Sequence, residues 1–127
     1  MDSTDPSNYA NALRPNTRVV YAESPANPTC RLTDLAAVGA IVNDYAAKTG
    51  TRKPWVMVDS TFATPYHQRC LEIDGVDVSI NSATKYIGGH SDILAGAVTS
   101  ASPEFLHSLA KVQNYVGSNS ELDRIFI

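Results

Sequence analysis

The 127-residue sequence is poor in the features that most quickly assign a class. It has no apolar run approaching the roughly 20 residues a membrane span needs, so no membrane partner is expected. It has no surplus of basic residues. The formal net charge of -3 gives no electrostatic reason to expect nucleic acid or an anionic lipid surface. The N-terminus, Met1-Asp2-Ser3-Thr4-Asp5-Pro6, is polar and acidic, which is not the pattern of a signal peptide. Cysteine is scarce. Cys30 and Cys70 form neither a close metal-type pair nor a disulfide framework, so no metal site is expected. Both are expected reduced and buried, which suits a cytoplasmic protein. Internal repeats and low-complexity tracts are absent. No glycine-rich fingerprint follows the first predicted strand, which argues against a dinucleotide-binding domain.

What is there is ordinary globular composition, 43% hydrophobic and 18% charged, enough for one modest domain. Strand and helix patterns alternate along it. Residues 7–13 read as a short helix and residues 17–23 as a β-branched strand. Pro25 and Pro28 force a loop after that strand. Thr33 is placed to cap a helix over residues 34–48 whose apolar face is Leu35, Val38, Ile41, Val42 and Tyr45, with Gly50 as its stop. Residues 54–59 form a second strand, and its unbroken apolar run predicts burial on both faces. A loop over residues 60–69 and a helical turn at residues 71–73 lead through Asp74-Gly75 to a third strand over residues 76–80. Residues 95–100 read as a small-residue fourth strand. A helix capped by Ser102 and begun by Pro103 follows, with Phe105, Leu106, Leu109, Val112 and Val116 on one face and Gly117 near its end. Residues 122–127 mix apolar and charged side chains. The alternation predicts an α/β domain with a mostly parallel sheet and flanking helices.

In such sheets ligands bind beyond the carboxyl ends of the strands. Three ends carry chemistry here. Asn27 lies in the proline-held loop after the first strand, and Asp59 closes the second. The third runs into Ser82-Ala83-Thr84-Lys85, followed by Gly88 and Gly89, where the chain can turn tightly. If the three strands are parallel neighbours, an amide, a carboxylate, two hydroxyls and an amine face one crevice. Each has an ordinary reading too. Asp59 and Asn27 suit turns, the hydroxyls can bond their own backbone, and most lysines are solvated charges. Together they meet the needs of pyridoxal phosphate. That cofactor takes an amine for a Schiff base, a carboxylate against its pyridine nitrogen, and donors for its phosphate and phenolic oxygens.

Five segments carry a resemblance: Glu23-Ser24-Pro25-Ala26-Asn27-Pro28-Thr29, Val58-Asp59-Ser60-Thr61-Phe62, Thr64-Pro65-Tyr66-His67-Gln68-Arg69, Ser82-Ala83-Thr84-Lys85-Tyr86 and Gly89-His90-Ser91-Asp92. In this order they resemble the Cys/Met metabolism PLP-dependent enzymes, the transsulfuration family of cystathionine γ-lyase, cystathionine β-lyase, cystathionine γ-synthase and methionine γ-lyase. The resemblance implies that Lys85 is the Schiff-base lysine, Asp59 the partner of the pyridine nitrogen, and Ser82 and Thr84 phosphate ligands. It implies that Asn27 lies near the phenolic oxygen and that His90 is a structural hydrogen-bonding residue. Ser60 stands where many members have Asn, and Asp74-Gly75 is one residue longer than the common spacing and is expected in a surface turn.

The resemblance further implies a fragment of the fold-type I large domain. Residues 1–127 would be its central part, with the N-terminal arm and the C-terminal domain absent. The implied activity is carbon–sulfur bond cleavage on a sulfur-containing amino acid, foremost cystathionine γ-lyase-like γ-elimination, with methionine γ-lyase, cystathionine γ-synthase or β-lyase as alternatives. A cytoplasmic homotetramer is the implied assembly. The competing expectation is a non-catalytic truncated fragment or paralogue that cannot turn over by itself.

Overall fold

The structure, a computed structural model, describes residues 1–117; the mixed segment at residues 122–127 lies outside them. Its elements run α1 (Ser7–Ala12), β1 (Val19–Glu23), α2 (Leu35–Thr49), β2 (Trp55–Asp59), α3 (Thr64–His67), a 3₁₀ turn (Cys70–Glu72), β3 (Val78–Ser82), a π-type turn (Ala83–Ile87), β4 (Gly96–Ser100) and α4 (Pro103–Val116). One sheet has the order β1-β2-β3-β4. The first three strands are parallel neighbours, with Glu23 opposite Asp59 and Asp59 opposite Ile80. The fourth returns antiparallel, with Ser82 opposite Gly96.

Alternation along the strands sorts side chains to two faces. Val20, Ala22, Val56 and Val58 point to one face, where they meet Leu35, Val38 and Val42 of α2 together with Tyr9 and Leu13. Val38, Val42, Val56 and Val58 are completely buried. Burying each valine contributes about 1.5–3 kcal/mol, so this seam is the main source of cohesion. Where α2 crosses the chain before β3, Gly39 lies against Gly75. A Cβ on Gly75 would come within 2.6 Å of the Gly39 Cα. Asp74-Gly75 is therefore a packing contact and not merely a surface turn.

Several expectations are corrected. Asp34, not Thr33, caps α2, its carboxylate accepting from the Ala37 amide. Thr33 is drawn inward instead, its amide donating 3.1 Å to the Ser24 hydroxyl. Gly50 ends α2 in the left-handed conformation, as expected. Pro65 starts the short helix α3 inside the expected loop, because the first turn of a helix tolerates its missing N–H. Cys70 is buried, but Cys30 is exposed, on the loop that bends around the two prolines; both are free thiols.

Strand β2 is not buried on both faces. Val56 and Val58 are covered, whereas Trp55, Met57 and Asp59 are half-buried. The second face has little cover among the described residues. There α4 meets Trp55 through Phe105, at 5.4 Å between ring centroids. Ser102 caps α4 as expected, through the Phe105 amide. Its apolar stripe, however, stays largely open: Leu106, Val112 and Val116 are exposed, and so is most of β4. The open second face is the one that carries Asp59.

Candidate functional site

Asp59 is the last residue of β2, and the next turn begins by hydrogen-bonding to it. The Thr61 amide and hydroxyl donate to Asp59 Oδ1 at 3.0 and 2.6 Å. From the neighbouring strand, Tyr21 donates its hydroxyl to Oδ2 at 3.1 Å. Tyr21 reaches it diagonally, because Tyr21 pairs with Met57 in the ladder and Asp59 lies two residues further along the same face. Partial burial, and then the Asp59 charge, push the Tyr21 phenol up to about 12. Tyr21 is therefore a donor at any ordinary pH.

Ser82 ends β3 beside this turn. Its amide donates 2.8 Å to the Thr61 hydroxyl. Thr61 thus joins the ends of two neighbouring parallel strands. The Ser82 hydroxyl is half-buried and takes no protein partner among the described residues. Immediately beyond, the π-type turn lifts Lys85 outward. The Lys85 backbone is non-helical, at φ -90° and ψ -121°, and its side chain is exposed. Gly88 permits the turn to close: a Cβ there would come within 2.6 Å of the Ala83 carbonyl oxygen. Gly89 follows at φ +76°, a conformation open to glycine. His90 bonds the Gly88 carbonyl through Nδ1 at 2.9 Å, which accords with a structural role.

Thr84 and Lys85 line a cleft of about 410 Å³ together with Phe62, Tyr86, Gly89 and Ser91. Phe62 and Tyr86 meet edge to face across 6.4 Å between ring centroids. The Thr84 hydroxyl is already engaged, accepting from the Ala95 amide at 3.1 Å. Its own proton is directed at the Ala95 carbonyl, 3.4 Å away, a long bond that a better acceptor can displace.

Asn27 is less closely tied to the group. Strand β1 ends at Glu23, as expected, and Asn27 sits four residues beyond it on an exposed loop. The start of that loop is anchored. The Ser24 amide donates to the Asp59 carbonyl at 3.1 Å, and the Gln68 amide group donates to the Ser24 carbonyl and the Ser60 hydroxyl at 2.9 and 3.1 Å. Ser60 is fully buried in this network, and Asn81 donates 3.0 Å to its carbonyl. A small side chain at position 60 is thus well accommodated.

Sequence reasoning passed over Tyr21, Thr61 and Gln68 as functional candidates. Thr61 had a local signal, since a hydroxyl two residues after a strand-end aspartate favours an Asx-type turn. Tyr21 had none, because its partner is 38 residues away.

The donor set fits pyridoxal phosphate in kind. An exposed amine, a carboxylate with acceptor capacity left, an unpartnered hydroxyl and a second hydroxyl held only by a long 3.4 Å bond to the Ala95 carbonyl lie at the ends of β2 and β3. No arginine lines the cleft among the described residues.

Comparison with known proteins gives the same direction. The chain is 42% identical over 117 residues to cystathionine gamma-lyase of Bacillus subtilis, covering 92% of this chain and 29% of that protein. It is 47% identical over 98 residues to L-methionine gamma-lyase of Treponema denticola, covering 77% of this chain and 23% of that one. Among solved structures, cystathionine gamma-lyase from Lactobacillus plantarum, complexed with L-serine, superposes with a TM-score of 0.87 at 32% identity over 98% of this chain and 30% of its own. The chain therefore spans about a quarter to a third of the length of such relatives. Residues 1–126 match the profile of a single family. With that match over an α/β frame whose strand ends carry this donor set, the chain belongs to the Cys/Met metabolism PLP-dependent enzyme family.

Proposed function

We propose that this chain is the central, cofactor-holding part of the large domain of a PLP-dependent carbon–sulfur lyase acting on a sulfur-containing amino acid. Cystathionine γ-lyase-like γ-elimination is the foremost reading, with Lys85 as the Schiff-base lysine. Methionine γ-lyase is the nearest alternative, since relatives of both names align with this chain. The observation that carries the reading is the meeting of Asp59 and the Ser82–Thr84–Lys85 turn at the ends of adjacent parallel strands, linked through Thr61.

The roles follow from the chemistry of each group. Asp59 would hold the pyridine nitrogen in its protonated form. Ser82 would donate its hydroxyl proton to the phosphate, Thr84 would do so by turning its proton from the Ala95 carbonyl, and Asn27 would offer its amide near the phenolic oxygen. Lys85 Nζ would anchor the aldehyde carbon and, once released, carry protons to and from the substrate's carbons. The cofactor, when bound, supplies the electron sink that makes those protons removable. Family resemblance alone extends the proposal to a cytoplasmic homotetramer.

A second reading is favoured by one observation: among the described residues the cleft has no arginine in its lining to pair with a substrate carboxylate. On that reading the isolated chain holds the cofactor without turning over substrate. Both are tested by mixing the purified chain with pyridoxal phosphate, reducing with borohydride and mapping the modified lysine. A single label on Lys85, absent in Lys85→Ala, is the expected result. Labels spread over Lys48, Lys53 and Lys111 would overturn the assignment. Release of ammonia and a keto acid from cystathionine by the labelled-competent chain would then sink the second reading.

A further inference from the structure

Counting the lone pairs of Asp59 leads to one further inference. An ionised carboxylate offers about four acceptor sites, two on each oxygen. Both sites of Oδ1 are taken, by the Thr61 amide and the Thr61 hydroxyl. One site of Oδ2 is taken, by the Tyr21 hydroxyl. A single acceptor site is left, on Oδ2. The direction of the Thr61 proton is also fixed. A backbone N–H only donates, so the bond from the Ser82 amide makes the Thr61 oxygen an acceptor there. An ionised carboxylate only accepts, so the Thr61 proton must point to Asp59. The hydroxyl thus works in both directions at once.

We propose that Thr61 is a positioning residue: it turns Asp59 so that only Oδ2 is open to a pyridine nitrogen, and it ties that carboxylate to the Ser82 end of the site. The inference rests on the assignment of Asp59 as the ring-nitrogen partner. Thr61 touches neither the ring nor the phosphate in this role. It sets the distance between the two groups that would, so that ring and phosphate are gripped by one rigid unit. Tyr21 fixes the second oxygen from the neighbouring strand and restricts rotation of the carboxylate. Thr61→Val keeps the shape and β-branching and deletes both bonds, whereas Thr61→Ser keeps both.

The test uses the whole chain, pyridoxal phosphate labelled with ¹⁵N in its ring, and Asp59→Asn as control. Bonds to a charged carboxylate of this kind set the expected scale, a loss of about tenfold or more in cofactor affinity for Thr61→Val. The ring ¹⁵N resonance should move toward the unprotonated position in Thr61→Val and stay at the wild-type position in Thr61→Ser. Without cofactor, protection of the Ser82 amide from hydrogen exchange should fall about tenfold in Thr61→Val. Circular dichroism checks folding, and Thr61→Ala replaces Thr61→Val if the latter does not fold. Wild-type affinity and ring resonance in the hydroxyl-less variant, beside a clear loss in Asp59→Asn, would overturn the role of Thr61 alone. Equal losses in Thr61→Val and Thr61→Ser would also overturn it, since the hydroxyl would not be the determinant. No change in Asp59→Asn, or no binding by the wild type, would overturn the assignment of Asp59 and the inference with it.

Discussion

Tyr21 shows how a single side chain reports on its neighbour. Its phenol is raised to about 12, first by burial and then by the charge of Asp59, whose carboxylate it faces at 3.1 Å. Ultraviolet titration of the six tyrosines should resolve one with a midpoint near 12, against about 10 for an unperturbed phenol. In Asp59→Asn that midpoint should fall but stay above 10, because the burial contribution remains. No change would show that Tyr21 does not feel Asp59. The sign for stability follows. A group whose folded value is raised contributes fully below about 10 and loses that contribution as pH rises through about 12. Tyr21 is about half exposed, so solvent screening keeps the loss small. Tyr21→Phe should therefore lower the neutral plateau slightly and flatten the last part of the alkaline stability profile.

At the scale of elements, α2 is placed by its ends and by one glycine in its middle. Asp34 satisfies the Ala37 amide at the start, and Gly50 takes up the left-handed turn at φ +66° at the finish. Gly39 is the surprising member. Alanine in its place would favour the helix by about 1 kcal/mol on propensity alone. Yet its Cβ would run into the Asp74 carbonyl oxygen and lie 3.0 Å from the Gly75 Cα. Backbone cannot rotate away as a side chain can, and Gly75 is itself held at φ +83°. We expect Gly39→Ala to destabilise by about 2 kcal/mol net, within the usual range for overpacking. The check is a urea midpoint that falls while the slope stays constant. An unchanged midpoint would mean that α2 and the β3 approach separate without cost. The helical spacing of Leu35, Val38 and Val42 foretold the buried stripe of α2, but nothing near Gly39 in sequence announced the chain that crosses it.

For the whole molecule, the packed core and the candidate site lie on opposite faces of one sheet. The closed face holds the valine seam against α2, and the open face holds Asp59, Tyr21 and the route to Lys85. A change in the seam should therefore act on global stability, with the site following only through unfolding. Val58→Ala deletes two methyl groups at a fully buried position and should cost about 2–3 kcal/mol. Val98→Ala, on the exposed edge strand β4, should stay within about 0.5 kcal/mol. Thermal unfolding of the two variants side by side is the measurement, and similar shifts would refute this division of the sheet. At the other end of the sheet, Asp77 accepts from Lys53 at 2.7 Å and from the Val56 amide at 2.8 Å, so β2 and β3 are pinned at both ends.

The sequence by itself determined the four strands, the three longer helices, their order, and the strand ends at which the candidate groups emerge; α3 and the π-type turn were not legible in it. Strand and helix periods, proline positions and glycine stops act over a few residues and can be read locally. Asp59 at the end of an apolar run and Ser82-Ala83-Thr84-Lys85 after another were legible for that reason. Thr33 was misplaced as a cap because Asp34 beside it offers a stronger acceptor, and only the pull of Ser24 from nine residues away decided between them. The unbroken apolar run of β2 could not say which face would be covered, since that depends on where α2 and α4 come to rest. Tertiary structure alone decided that Tyr21 and Thr61 hold the Asp59 carboxylate, that Thr61 reaches the Ser82 amide 21 residues on, and that Gly39 faces Gly75. These contacts join backbone and side-chain groups far apart in the chain, and their partners exist only once parallel strands have come into register.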